Sequence, residues 1–218
     1  LDSSALLAPL LAHWPWLLAL FALYVFAKIV GSARFKGWLG ESSVNRGLRR
    51  LDLSQYQLFH DLYLPRPDGK GTTQIDHIVV SPFGVFVIET KNYKGWIFGD
   101  EKQRQWTQQI YRRKNRFQNP LHQNQLHVRA LMDFLAMPES AFRSLIFFIG
   151  DATFKTPMPA NVINKGLRPW IENHRDTILD AGQVDQIHTA LTDHERNTDR
   201  KAAAKQHLKD MKSRDCVS

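Results

Sequence analysis

Cysteine is almost absent: Cys216 is the only one in 218 residues. This excludes an internal disulfide framework and any cysteine-rich zinc site within the sequence, and it fits a reducing compartment. No glycine-rich phosphate loop of the P-loop type occurs, and no serine nucleophile elbow, which argues against an ATPase or an esterase. No internal repeat is present. Charge is missing from Ser3 to Ala27, and acid is missing from residues 102 to 116, where six basic side chains lie. Across the whole chain 29 Lys and Arg outnumber 21 Asp and Glu, giving a formal charge of +8 and a pI near 9.7. That balance suits a polyanionic partner, either nucleic acid or an acidic membrane surface. The length accommodates one domain of ordinary size plus an appendage.

The uncharged N-terminal stretch reads as a membrane segment. From Trp14 to Val30 nearly every residue is apolar, and about 17–20 such residues cross a hydrocarbon core. Trp14, Trp16 and Tyr24 suit interfacial positions, while Pro9 and Pro15 precede or kink a helix. Lys28, Arg34 and Lys36 follow the run and only Asp2 precedes it. The positive-inside rule then places the C-terminal bulk in the cytoplasm, with residues 1–33 as a single-pass anchor in the inner (cytoplasmic) membrane. A cleaved signal peptide is the competing reading, because Gly31-Ser32-Ala33 is a small-residue triplet. Against it, the apolar run is long for a signal core and no basic residue precedes it.

The most informative segment runs from Thr73-Gln-Ile-Asp-His-Ile-Val-Val-Ser81 through Pro82-Phe83 into Gly84-Val-Phe-Val-Ile-Glu-Thr-Lys91. Both arms are β-branched and apolar, with turn formers between them, so a hairpin is expected. Centred on Pro82-Phe83, it sets Ser81 opposite Gly84 and Asp76 opposite Glu89, with Cβ atoms roughly 5 Å apart on one face. Like charges at that spacing repel, and a divalent cation between them removes the penalty. Lys91 projects from the same face by the strand's period of two. Two oxygen ligands and an amine on one face suit phosphodiester cleavage.

Residues 37–51 have helical periodicity, with Trp38, Glu41, Val44, Leu48 and Leu51 on one stripe. Glu41 is a carboxylate on an apolar face: either a first-turn acid favoured by the helix dipole or a third acid for the site. Tyr56–Leu64 reads as a strand. Short strands are expected at residues 94–99 and 106–111. Lys94, Lys102, Arg104, Arg112, Arg113, Lys114 and Arg116, interleaved with Trp96, Trp106 and Tyr111, form a candidate nucleic-acid surface. The alternative is a solvated hairpin with its aromatics packed inward. Asn119-Pro120 marks a helix start. On that helix Gln123 and His127 share a face at i and i+4, where they either point into a cleft or serve as ordinary polar residues. Ser144–Gly150 is a continuous apolar run suited to a strand buried on both faces. Residues 161–167 suggest a short strand, and 169–174, 183–195 and 199–212 suggest helices. His188, His194 and His207 read as ordinary surface residues.

Taken together, Gly37-Trp-Leu-Gly-Glu41, Gln74-Ile-Asp-His77, Gly84-Val-Phe-Val-Ile-Glu-Thr-Lys91 and Asn119-Pro-Leu-His-Gln123 resemble the PD-(D/E)XK nuclease superfamily. More closely they resemble its NERD, or nuclease-related domain, family. The likeness covers residues 37 to about 135. It implies an α/β fold with an α-β-β-β-α-β restriction-endonuclease-like core around a mixed sheet, here preceded by one transmembrane helix and followed by helical C-terminal segments. The corresponding division is 1–33 anchor, 34–151 nuclease-like core and 152–218 C-terminal extension. Some similar proteins carry a C-terminal zinc ribbon, which one cysteine cannot build.

The resemblance implies Mg²⁺ or Mn²⁺ held by Asp76 and Glu89, with Glu41 binding through water or holding a second metal. Lys91 would orient the attacking water or steady the developing charge, and Gln123 would support the site. Ile75 rather than Pro precedes Asp76, and His77 is expected on the opposite side of the strand. The expected function is a membrane-anchored metal-dependent nuclease acting on DNA or RNA. The alternative is a noncatalytic nucleic-acid-binding or scaffold module on the same fold.

Overall fold

The computed structural model describes residues 43–215 together with residues 14, 16, 18, 20–25 and 28, the latter all helical. The chain divides into two units, residues 1–42 and 43–218. Most of the expected anchor, and the segment 34–42 with Glu41, lie outside the described residues. Among the described residues no helix is long and apolar enough to cross a membrane.

The second unit is α/β and built on two mixed sheets. Helix α1 covers residues 43–48 and is followed by β1 (Gln57–Pro65), β2 (Thr72–Ser81) and β3 (Gly84–Asn92). Strands β4 (Gly95–Phe98), β5 (Gln105–Ile110) and β6 (Arg113–Gln118) come next, before helix α2 (Pro120–Leu135). Then follow β7 (Phe142–Ile149), β8 (Ala152–Phe154), β9 (Val162–Ile163), α3 (Leu167–Glu172), α4 (Ala181–Asn197) and α5 (Arg200–Asp215). The main sheet has the order β1-β2-β3-β7-β9, antiparallel on the β1 side and parallel from β3 onward. The expected succession of helix, three strands, helix and strand is therefore present. It is interrupted by a second sheet of order β6-β5-β4-β8, inserted mainly between β3 and α2.

The hairpin has the expected register, with Ser81 opposite Gly84 and His77 opposite Ile88. Alternation then sorts its side chains onto two faces. Ile78, Val80, Val85 and Val87 pack with Val128, Leu131 and Leu135 of α2 and with Val184, Ile187 and Leu191 of α4. Val79, Phe86 and Ile88 pack with Val44 and Leu48 of α1 and with Leu167 and Ile171 of α3. At roughly 1.5–3 kcal/mol for each large side chain withdrawn from water, these two layers dominate the stability.

The alternation is broken once, and the break falls at the site. Asp61 in β1 has φ 55° and is skipped in the ladder, although the register is the same on either side of it. Phe59 before it and Leu62 and Leu64 after it reach the same core cluster, as do Ile78 and Ile75 on β2. The inward face thus switches parity at Asp61 and at its counterpart on β2, Asp76. A left-handed residue turns the strand about its own axis, which permits the switch.

The sequence expectations need four corrections. Strand β6 was not anticipated: Arg-Lys-Asn-Arg-Phe-Gln has no apolar alternation, and it is a strand because every residue pairs with β5. Strand β8 was also missed, being only three residues long. Trp106 is fully buried and stacks on Phe148, with ring centroids 6.2 Å apart, so it packs inward while Trp96 and Tyr111 stay exposed. Gly99 permits this packing, since a Cβ there would lie 2.3 Å from the indole. His188, His194 and His207 are not ordinary surface residues either. His194 Nε2 is 2.8 Å from the Tyr63 carbonyl, His207 Nδ1 is 3.1 Å from the Thr72 carbonyl, and His188 packs against Phe59. These tertiary contacts fasten the C-terminal helices to β1 and β2.

Candidate active site

Asp76 and Glu89 meet where the β2–β3 ladder ends. The last assigned pair is His77 with Ile88. Continuing the register places Asp76 opposite Glu89 as a non-hydrogen-bonded pair, the kind whose side chains lie closest. One residue further, Thr90 would donate its amide to a β2 carbonyl. Instead Asp76 Oδ2 accepts from the Thr90 backbone N–H and from Thr90 Oγ1, each at 2.9 Å. The carboxylate thus stands in for the backbone at the mouth of the hairpin.

Glu89 is buried and held from both sides. Lys91 Nζ donates to Glu89 Oε1 at 2.5 Å and to Gln123 Oε1 at 2.9 Å. His127 Nε2 lies 3.0 Å from Glu89 Oε2, and its Nδ1 lies 2.9 Å from Thr73 Oγ1. An ionised carboxylate only accepts, so Nε2 carries a proton, while Nδ1 pairs with the Thr73 hydroxyl. Two β3 residues and two α2 residues therefore form one chain of polar contacts.

Helix α2 is set for this task by two asparagines. The Asn119 side chain caps the helix by accepting from Leu121 N at 2.9 Å, and Pro120 opens it, as expected from the sequence. Asn124 is buried and donates through Nδ2 to the Val87 carbonyl at 2.9 Å and to Ser144 Oγ at 2.8 Å. One helical turn links Gln123 to His127, so this anchoring fixes both of them above β3.

The electrostatics follow from crowding. Burial first, and the charge of Glu89 second, push the Asp76 carboxyl up to about 8, against the two bonds from Thr90. Burial also pushes Glu89 upward, but Lys91 and His127 outweigh it and hold that carboxyl below its usual value. Lys91 is raised: burial opposes its charge, and Glu89 more than compensates. At neutral pH the protein alone therefore carries an ionised Glu89–Lys91 pair beside an Asp76 that retains its proton.

Asp76, Glu89, Lys91 and Gln123 are thus brought together, while Glu41 lies outside the described residues. His77 turns toward β1, where its Nδ1 is 3.0 Å from His60 Nδ1; burial, then His60, lowers it to about 3. The seven basic residues are all exposed but do not form one patch. Lys102 and Arg104 lie in the β4–β5 loop, Arg112 in the β5–β6 turn, and Arg113 on the opposite face of β6 from Lys114 and Arg116. The roles of Thr90 and Thr73 were not anticipated. Thr90 is the residue between Glu89 and Lys91, so its position was a usable signal; Thr73 gave none.

A match to the family described as "Nuclease-related domain", NERD, spans residues 36–149, more than half of the chain. The chain belongs to the NERD family. This family is associated with the PD-(D/E)XK nuclease superfamily. The NERD chain is also 40% identical over 167 residues to an uncharacterized protein of Bacillus anthracis, covering 72% of this chain and 76% of that one. No solved structure matches it.

As a metal centre, the NERD site offers two carboxylates of the hard-oxygen type that Mg²⁺ and Mn²⁺ prefer. Asp76 engages Thr90 through Oδ2 alone, so Oδ1 remains as a donor. A cation there would offset the repulsion that raises Asp76. Among the described residues no group of three or more His, Cys, Asp or Glu side chains is placed to hold a metal. Both Glu89 oxygens already accept, from Lys91 and His127, so an ion would meet Asp76 Oδ1 and the remaining lone pairs of Glu89, and further ligands would be waters or groups outside the described residues.

Proposed function

We propose that this NERD protein is a divalent-metal-dependent nuclease that hydrolyses DNA or RNA phosphodiesters. The observation that carries the proposal is the juxtaposition of Asp76, Glu89, Lys91 and Gln123, with Lys91 locked between the other two side chains of its network. Asp76 and Glu89 would hold Mg²⁺ or Mn²⁺, with Glu41 as the third acid. An ion held there would supply an acidified water and offset charge on the phosphoryl oxygens. Lys91 spends two of its three N–H donors on Glu89 and Gln123, which aims the remaining one. That donor orients the attacking water or stabilises the charge developing on the phosphate. Gln123 takes a second N–H of Lys91, and His127 fixes the second oxygen of Glu89.

The uncharged run from Ser3 to Ala27, followed by Lys28, Arg34 and Lys36, supports a membrane-anchored protein with its nuclease domain in the cytoplasm. A second reading, a nucleic-acid-binding module without turnover, is favoured by the engagement of both Glu89 oxygens by Lys91 and His127.

The test is cleavage of labelled DNA and RNA with Mg²⁺, with Mn²⁺ and with EDTA, for the parent and for Asp76→Asn. Metal-dependent cleavage abolished in the variant is the expected result. Cleavage that survives the substitution would remove the proposed centre. Binding without cleavage in the parent would favour the second reading.

A further inference from the structure

The second sheet has one buried face and one open face. Ile97 and Trp106 are fully buried on the first. Register places Trp96 of β4 beside Gln109 of β5, Gln109 beside Lys114 of β6, and Trp96 beside Thr153 of β8. The next row sets Phe98 beside Thr107 and Thr107 beside Arg116. Each row of the outward face therefore runs from an aromatic on β4 through an uncharged polar residue on β5 to a basic one on β6. Trp96 is 47% exposed, and Lys155 Nζ sits 4.6 Å from its ring centroid.

Tyr111 adds a second exposed ring. It opens the β5–β6 turn with φ 52°, a conformation uncommon for residues other than glycine, asparagine and aspartate, and it is 94% exposed. The two-residue turn from Ile110 to Arg113 calls for a positive φ at its first position, so only the exposure of the ring is left without a packing reason. Trp96 and Tyr111 flank a cleft of about 430 Å³ that Lys94, Gln109 and Asp151 also line, a volume in the range of small-ligand sites, about 300–1,000 Å³.

We propose that this face is a stacking platform for single-stranded nucleic acid, with Trp96 and Tyr111 taking unpaired bases and Lys114, Arg116 and Lys155 meeting the phosphates. The proposal rests on the nuclease reading above. Strand β3 carries Glu89 and Lys91, and only Tyr93 and Lys94 separate it from β4, so the platform and the reactive cluster are joined by two residues of chain. Single strands are favoured over duplex because duplex bases are already stacked on one another and offer no free face. Base–ring stacking tolerates any sequence, while the phosphates need cations rather than a defined pocket. The absence of acid from 102 to 116 leaves no opposing charge along β5 and β6.

The experiment is fluorescence anisotropy of a labelled oligothymidylate and of a duplex of equal length, with EDTA present to prevent cleavage. The full chain is compared with Trp96→Ala, Tyr111→Ala and the aromatic-retaining Trp96→Phe and Tyr111→Phe. Tighter binding to the single strand is expected, weakened about tenfold or more by each alanine and largely restored by each phenylalanine. Equal affinity for both probes, or alanine variants that bind as the parent does, would overturn the platform. So would binding to anionic phospholipid vesicles without binding to the oligonucleotide, which would assign the face to a membrane surface. Metal-dependent cleavage is measured alongside. Aromatic-dependent binding without cleavage would sink the nuclease reading alone, and cleavage without aromatic-dependent binding would sink the platform alone.

Discussion

Asp76 accepts both the amide and the hydroxyl of Thr90 through a single oxygen, each at 2.9 Å. Both bonds fall on Oδ2, so Thr90 orients the carboxylate. Thr90→Val keeps the shape and the amide but deletes the hydroxyl. Its expected cost is about 1 kcal/mol in urea unfolding, with cleavage or metal affinity down about 10- to 100-fold. No change in either quantity would leave Thr90 without the orienting role.

The raised Asp76 carboxyl makes the metal-free protein sensitive to pH in a definite direction. The folded state keeps this proton up to about 8, whereas the unfolded chain releases it near about 4. Between those values the unfolded state binds fewer protons, so stability falls as pH rises. Asp76→Asn removes this contribution. In EDTA, the urea midpoint of the variant should gain on the parent from pH 4 to pH 8 and level off above. A difference that stays flat across the window would show that Asp76 ionises normally.

Removing Lys91 alone strands a buried carboxylate. Lys91→Met is expected to lose about 3–5 kcal/mol of stability as well as cleavage, which confounds the chemistry with folding. The double variant Glu89→Gln with Lys91→Met removes both charges and should recover most of that stability while remaining inactive. Denaturant curves and cleavage assays on the same preparations separate the two effects. A double variant that cleaves at the parent's rate would dismiss both residues from catalysis.

His127 joins Glu89 to Thr73 from the far side of the carboxylate. His127→Leu deletes the donor to a buried charge, so a loss of about 1.5–3 kcal/mol is expected. Activity should fall about 10- to 100-fold through misplacement of Glu89, with His127→Gln retaining more than His127→Leu. Mg²⁺ or Mn²⁺ titration calorimetry on the same variants reports the metal affinity. Identical losses for Leu and Gln would mean that the imidazole is merely filling space.

The hairpin and its facing acids were legible because β-branched alternation and a two-residue turn leave one register. Residue by residue, Ser81 opposite Gly84 carries the count to Asp76 and Glu89. The helix start at Asn119 was legible for a similar local reason, a capping side chain followed by Pro. What escaped was structure made by tertiary partners. Strand β6 exists through pairing with β5, its side chains from Arg113 to Arg116 being exposed. The contacts of His194 and His207 join residues more than 130 positions apart, a distance over which local pattern is silent. The parity switch at Asp61 was equally hidden, since an aspartate on a strand does not reveal a positive φ.

Asn119 does more than begin a helix. Its Nδ2 also donates to the carbonyls of Asp100, Glu101 and Gln103, at 3.1, 3.2 and 2.7 Å. The loop bearing Lys102 and Arg104 is thereby riveted to the first turn of α2, four residues ahead of Gln123. One side chain thus ties the basic loop to the helix that carries Gln123, so a phosphate held by Lys102 or Arg104 would rest on the same support as the lysine clamp.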